Sequence, residues 1–132
     1  MISDAELVDH ARAVRERAYA PYSRFKVGAA ILDERGRIHV GCNVENAAYP
    51  LGVCAEASAI SAMVSQGAKT IVRIAILGGG AEVEPCTPCG GCRQAISEFA
   101  GDETRVLLID EKGGVASYRV AEILPMAFRL KS

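Results

Sequence analysis

The sequence predicts an α/β fold in three layers, α/β/α, around a central mixed sheet of about five strands. Two observations lead there. Beyond residue 54, strand-like aliphatic runs are separated by stretches with helical spacing, the alternation that builds a sheet covered by helices. Ahead of it, two adjacent strand-like runs joined by a polar turn read as a hairpin, which makes the sheet mixed. Pattern alone leaves the strand order open. At 132 residues, half of them apolar, the chain is expected to form one domain, residues 1–132, around a single core.

Each element has a local reason. Ser3 followed three residues later by Glu6 is a capping-box pattern, and Leu7, Val8, Ala11, Val14 and Ala18 recur at helical spacing. A first helix is therefore expected over about 4–19, closed by Pro21. Val27 to Leu32 and Ile38 to Asn43 form the hairpin, turning through Asp33-Glu34-Arg35-Gly36-Arg37. Val44 to Val53 has no period and carries Pro50 and Gly52, so it reads as a loop delivering the chain to Cys54. A second helix runs from Ala55 to about Gln66 and stops at Gly67. Val72 to Leu77 is nearly all aliphatic, as expected of a strand buried on both faces, and Gly78-Gly79-Gly80 ends it. That triplet lacks the Lys-Ser/Thr and the spaced glycines of a phosphate loop. A third helix follows over Gly90 to Phe99, with Ile96 and Phe99 facing inward, then strands at Val106 to Ile109 and Val115 to Arg119. A short helix near Val120 to Leu124 precedes the Pro125-Met126-Ala127-Phe128 tail.

Bulk properties exclude some functions. A formal net charge of −1 with basic residues scattered singly argues against polynucleotide as the main partner. The opening residues carry no basic region followed by an apolar run, and every apolar run is far shorter than the roughly 20 residues that span a bilayer. A soluble cytoplasmic protein without a membrane partner is expected. Thiols stay reduced in that compartment, so five cysteines read better as ligands and bystanders than as disulfides.

The chemistry concentrates in Cys54-Ala55-Glu56 and Pro88-Cys89-Gly90-Gly91-Cys92. A lone C-x-x-C is weak evidence, shared by redox and structural zinc sites. Cys54, however, also opens a helix, and a helix N-terminus favours thiolate. Three thiols would leave a zinc ion its fourth tetrahedral position for water, the arrangement of a catalytic site. Cys89 and Cys92 at i and i+3 share a helix face, whereas Cys54 and Glu56 at i and i+2 diverge. Cys54 is thus expected at the cap, with Glu56 reaching water and not metal. Two closed alternatives remain: Glu56 as a ligand, or Cys86 as a fourth thiolate through the even spacing of Cys86, Cys89 and Cys92. Cys42 is expected to be a small buried residue, and His10 and His39 to be solvated.

Together these motifs resemble the cytidine deaminases of the small, homotetrameric, zinc-dependent type. The shared residues are Cys54-Ala55-Glu56, Pro88-Cys89-Gly90-Gly91-Cys92-Arg93-Gln94, Pro21 to Ala30, Gly41 to Ala47, and Leu124 to Phe128. The resemblance implies one zinc ion per subunit on Cys54, Cys89 and Cys92, a zinc-bound hydroxide attacking C4 of the pyrimidine, and Glu56 as proton shuttle. It implies a nucleoside substrate whose ribose hydroxyl meets Asn43 and Glu45, with Ala55 beside it and Phe25 stacked on the base. Phe128 would reach the site of a neighbouring subunit. From the residues alone, Asn43 and Glu45 also fit turn chemistry, and both phenylalanines also fit a core. One departure stands out: many members with three thiolate ligands carry arginine directly after the glutamate, where this chain has Ala57. Three thiolates on Zn²⁺ leave a charge of −1, and Arg93 with the two helix N-termini is expected to offset it. A deaminase of a blasticidin-type nucleoside, a non-catalytic zinc module closed by Cys86 and a polynucleotide deaminase are the competing readings.

Overall fold

In the computed structural model, which describes residues 2–130, the five strands are β1 (Lys26–Asp33), β2 (Ile38–Cys42), β3 (Ile71–Gly79), β4 (Ala100–Ile109) and β5 (Val115–Arg119). They form one sheet in the order β2-β1-β3-β4-β5. β3 and β4 run parallel and every other neighbouring pair is antiparallel. The mixed character follows from the connections: the short turn over residues 34–37 can join β1 to β2 antiparallel, while parallel β3 and β4 need a crossover. α3 (Gly90–Glu98) lies in that crossover.

Alternation along the central strands builds a core on each face. Ala29, Ile31, Ile74, Ile76, Val106 and Leu108 point to one side, where α2 (Ala55–Ser65), α3 and α4 (Val120–Ile123) cover them. Ala30, Leu32, Ala75, Leu77, Leu107 and Ile109 point to the other, under Leu7, Val8 and Ala11 of α1 (Asp4–Arg15). The result is the expected three layers, with one helix on one face and three on the other. Two glycines let the helices lie directly on strands. A Cβ at Gly28 would stand 2.2 Å from the Ala11 carbonyl oxygen of α1, and one at Gly41 would stand 2.4 Å from the Ala59 nitrogen of α2. Among the described residues no helix is long and apolar enough to cross a membrane.

The Ser3–Glu6 capping box forms as the pattern requires. The helix it opens ends at Arg15 and does not reach residue 19. Past Arg15 the chain tightens through Arg17 N–H to Val14 and Ala18 N–H to Arg15, both 3.0 Å. Tyr19 then exchanges backbone hydrogen bonds with Asn43 and Glu45, at 3.0 and 2.8 Å. Long-range backbone partners thus replace the last helical turn. β4 begins six residues earlier than its aliphatic run suggests, because Ala100 pairs with Ile71 and Thr104 Oγ1 donates to the Ile71 carbonyl. β3 takes in Gly78 and Gly79, which pair with Val27 and Lys26. Cys42 is half-buried.

His39 corrects an expectation. It is not solvated: it is 7% exposed, on the face of β2 that α2 covers, and its Nε2 lies 2.7 Å from Asp33 Oδ2. His10 is exposed, as expected. The other Asp33 oxygen accepts the N–H groups of Arg35 and Arg37 at 2.8 and 2.9 Å, closing the hairpin turn. Burial alone pushes this carboxyl up, but the hydrogen bonds from His39, Arg37 and Arg35 outweigh it and hold the group below the usual range. Stability from a depressed carboxyl is present above its unfolded value, about 3.9, and is lost as pH falls through the lower folded value. Asp33→Asn is expected to destabilise the neutral protein by about 2–3 kcal/mol and to flatten the acid loss below pH ~4. Thermal unfolding of both proteins across an acid pH series checks this; parallel curves would count against it.

Candidate active site

α2 and α3 start at sulfur. Cys54 and Cys89 are their N-cap residues, both in extended conformation, with φ/ψ of −77/154 and −66/166. Neither side chain makes a capping hydrogen bond. An oxygen-bearing side chain would ordinarily satisfy the orphan N–H groups there. A thiolate at that position takes the favourable end of the helix dipole instead. Cys92 follows in the first turn of α3, buried at 5% exposure.

The sulfurs of Cys54, Cys89 and Cys92 all lie within 4.8 Å of one another. Two thiolates on one tetrahedral zinc at ~2.3 Å sit roughly 3.8 Å apart, so small adjustments would seat the ion. Among the described residues this is the one group of three metal-ligating side chains that converges. The donor set also calls for a cation. Burial and then the Glu56 charge push the Cys92 thiol up, and burial pushes Cys54 up. Only Cys89 is lowered, because the N–H end of α3, Cys92 first, lies close to its sulfur without forming a capping hydrogen bond. A divalent cation reverses that balance, because it stabilises all three thiolates at once.

Cys86 and Glu56 stand outside that group. The Cys86 sulfur packs over Gly78 and lies 3.7 Å from the Thr87 carbonyl oxygen. Glu56 is 4% exposed, in the first turn of α2. Burial raises its carboxyl above the usual range, against the lowering effect of its own backbone N–H and of Cys92. A buried carboxyl raised in this way beside a metal-ligand set has the character of a proton carrier.

A cavity of about 380 Å³ opens above these groups. Cys54, Ala55, Glu56, Cys89 and Cys92 line its floor, and Phe25, Asn43 and Glu45 line it from the hairpin side. The chain thus gathers eight of the ten residues that the sequence singles out. Asn43 spans two strand-flanking groups, accepting from Val27 N–H and donating to the Phe25 carbonyl, each at 2.8 Å. Glu45 Oε1 accepts the N–H groups of Tyr22 and Ser23 at 2.9 and 3.2 Å, and Oε2 accepts the Ser23 hydroxyl. The Ser23 hydrogen bond leads the causes that lower the Glu45 carboxyl.

The two residues outside the cavity are Arg93 and Phe128. Arg93 donates through Nε to the Pro88 carbonyl at 2.7 Å and through Nη1 to Ile123 at 2.9 Å, bracing the turn before Cys89 against α4. Phe128 is 67% exposed, and its carbonyl accepts from Gln94 of α3 at 3.0 Å. Sequence reasoning missed the walls formed by Tyr49, Val53 and Cys86, and it missed Ser23. Cys86 carried a signal, its regular spacing from Cys89, but that spacing pointed to a ligand and not to a wall. Ser23 carried no signal of its own.

Comparison with known proteins gives the chain its relatives. Residues 1–108 match the family model described as the cytidine and deoxycytidylate deaminase zinc-binding region. A cytidine deaminase of Sporosarcina psychrophila is 44% identical over 124 residues, covering 93% of this chain and 89% of its own. One from Halalkalibacterium halodurans is 42% identical over 122 residues, covering 92% and 91%. Among solved structures, a cytidine deaminase from Burkholderia pseudomallei superposes with a TM-score of 0.86 at 40% identity, over 96% of this chain and all of its own.

Proposed function

The chain belongs to the cytidine and deoxycytidylate deaminase family, and from that membership we propose that it hydrolyses the exocyclic amine of free cytidine and deoxycytidine, yielding the uridines and ammonia. One observation carries the proposal: three converging thiols and a buried glutamate form the floor of a cavity whose opposite wall offers an aromatic ring, an amide and a carboxylate. Cys54, Cys89 and Cys92 would hold a zinc ion. The chemistry zinc supplies in a three-ligand site is Lewis acidity, which brings the pKa of a water to near neutrality.

The remaining steps belong to the chain. Glu56 would take a proton from water as the water oxygen adds to C4 and deliver it to the ring nitrogen N3, then take the remaining proton of the new C4 hydroxyl and pass it to the amine, which leaves as ammonia while the C4 carbonyl forms. Phe25 stacks on the base, with Ala55 beside it. Asn43 and Glu45 read the ribose; Glu45 has a lone pair free on Oε2 beyond the hydrogen bonds described above. A carboxylate there repels phosphate, which favours a nucleoside over a nucleotide. With three thiolates and Ala57, the N-termini of α2 and α3 and the charge of Arg93 offset the excess negative charge. Phe128, exposed in the single chain, serves the site of a neighbouring subunit in a homotetramer, and the enzyme works in cytoplasmic pyrimidine salvage as one deaminase domain.

A rate panel tests this directly. Cytidine, deoxycytidine, a blasticidin-type nucleoside, the cytidine monophosphates and single-stranded DNA are compared at equal concentration. The free nucleosides are expected to react about 100-fold faster than the monophosphates, with single-stranded DNA inert. Preference for a nucleotide or for the antibiotic would redirect the substrate, and no turnover of any of them would remove the deaminase reading.

A further inference from the structure

We propose that Ser23 is a positioning residue that seats Phe25 in the wall of the cavity. The inference rests on the deaminase reading for the meaning of that wall. Arg24, between the two, holds φ at 59°, a left-handed conformation that an L-residue with a long side chain adopts only when its surroundings enforce it. Those surroundings are hydrogen bonds. The Ser23 hydroxyl donates to Glu45 Oε2 and accepts from the Phe25 N–H at 3.0 Å. Glu45 also takes the N–H groups of Tyr22 and Ser23. The Phe25 carbonyl is held by Asn43. Phe25 is thus gripped at both backbone groups, at its N–H by Ser23 and at its C=O by the amide of Asn43.

The grip fixes where the ring can lie. A Cβ built on Gly78 would meet the Phe25 ring at 3.1 Å and the Cys86 sulfur at 2.9 Å, so ring and thiol rest against a residue of β3 whose lack of a side chain leaves room for them. Without the Ser23 hydroxyl, the Phe25 N–H loses its acceptor and the turn through Arg24 loses the bond on its C-terminal side, keeping that of Arg24 N–H to the Ala20 carbonyl. The ring then leaves its seat more readily. Cys54, Cys89, Cys92 and Glu56 sit on α2 and α3 and are untouched, so the defect falls on binding and not on the chemical step.

The test compares wild type, Ser23→Ala and Ser23→Thr as zinc-loaded enzymes. Ser23→Ala is expected to raise KM for cytidine about fivefold, the scale of one lost hydrogen bond, with kcat within about twofold of wild type. The threonine variant, which keeps the hydroxyl, restores KM. Amide hydrogen exchange at Phe25 is expected to accelerate in Ser23→Ala and to return with threonine. Unchanged exchange, an unchanged KM, or a loss confined to kcat would overturn the proposal. If no nucleoside is turned over even by wild type, the deaminase reading fails, while the exchange rates still decide whether Ser23 holds Phe25.

Discussion

Glu56→Gln is expected to lower deamination of cytidine by about 10,000-fold while leaving one zinc per chain. The substitution keeps the volume of a side chain that is 4% exposed, so packing at the start of α2 is preserved. It removes the carboxylate that can accept a proton. None of the three converging sulfurs is altered, and Glu56 is not among them, so metal content should be unaffected. Loss of absorbance at the cytidine band gives the rate, and elemental analysis gives the zinc. Equal loss of zinc and activity would make Glu56 a ligand. Retained activity would remove it from the proton path.

Cys92→Ala is expected to fail differently, losing the metal and the activity together. Cys92 is the buried member of the cluster, placed by the first turn of α3. Zinc in a site of this kind binds with roughly 10–16 kcal/mol, and a third of that is a loss of roughly 300-fold to several thousandfold in affinity. The variant as purified should therefore carry well under one zinc per chain and show no measurable turnover. Chelator-treated wild type should recover on adding zinc, and the variant should not. A variant that kept a full complement of zinc would show that another group, with Cys86 the nearest candidate in sequence, had taken the place of Cys92.

How legible these features are in the sequence depends on how far apart in the chain their causes lie. The capping box at Ser3, the two helix starts at cysteine and the hairpin through Asp33 are written within a few residues each, and each forms. The end of α1 is not written locally. It is set where Tyr19 meets Asn43 and Glu45 across the hairpin. The start of β4 depends in the same way on Ile71 as its partner. His39 looked like a solvated strand residue because alternation alone cannot say which face α2 will cover.

The site divides along the same line. The sequence by itself determined which side chains are the candidates for the chemistry, because thiols at helix starts and a glutamate two residues after one of them are local patterns with few uses. It also determined the two-faced character of the central strands, since unbroken aliphatic runs need cover on both sides. Only the tertiary structure decided that Cys54 meets Cys89 and Cys92 and that Cys86 becomes a wall. It alone made Asn43, Glu45 and Ser23 the frame around Phe25. The reason is strand register: pairing β1 with both β2 and β3 aligns segments distant in sequence, and that alignment sets where the chain flanking those strands brings Phe25 and Asn43 together.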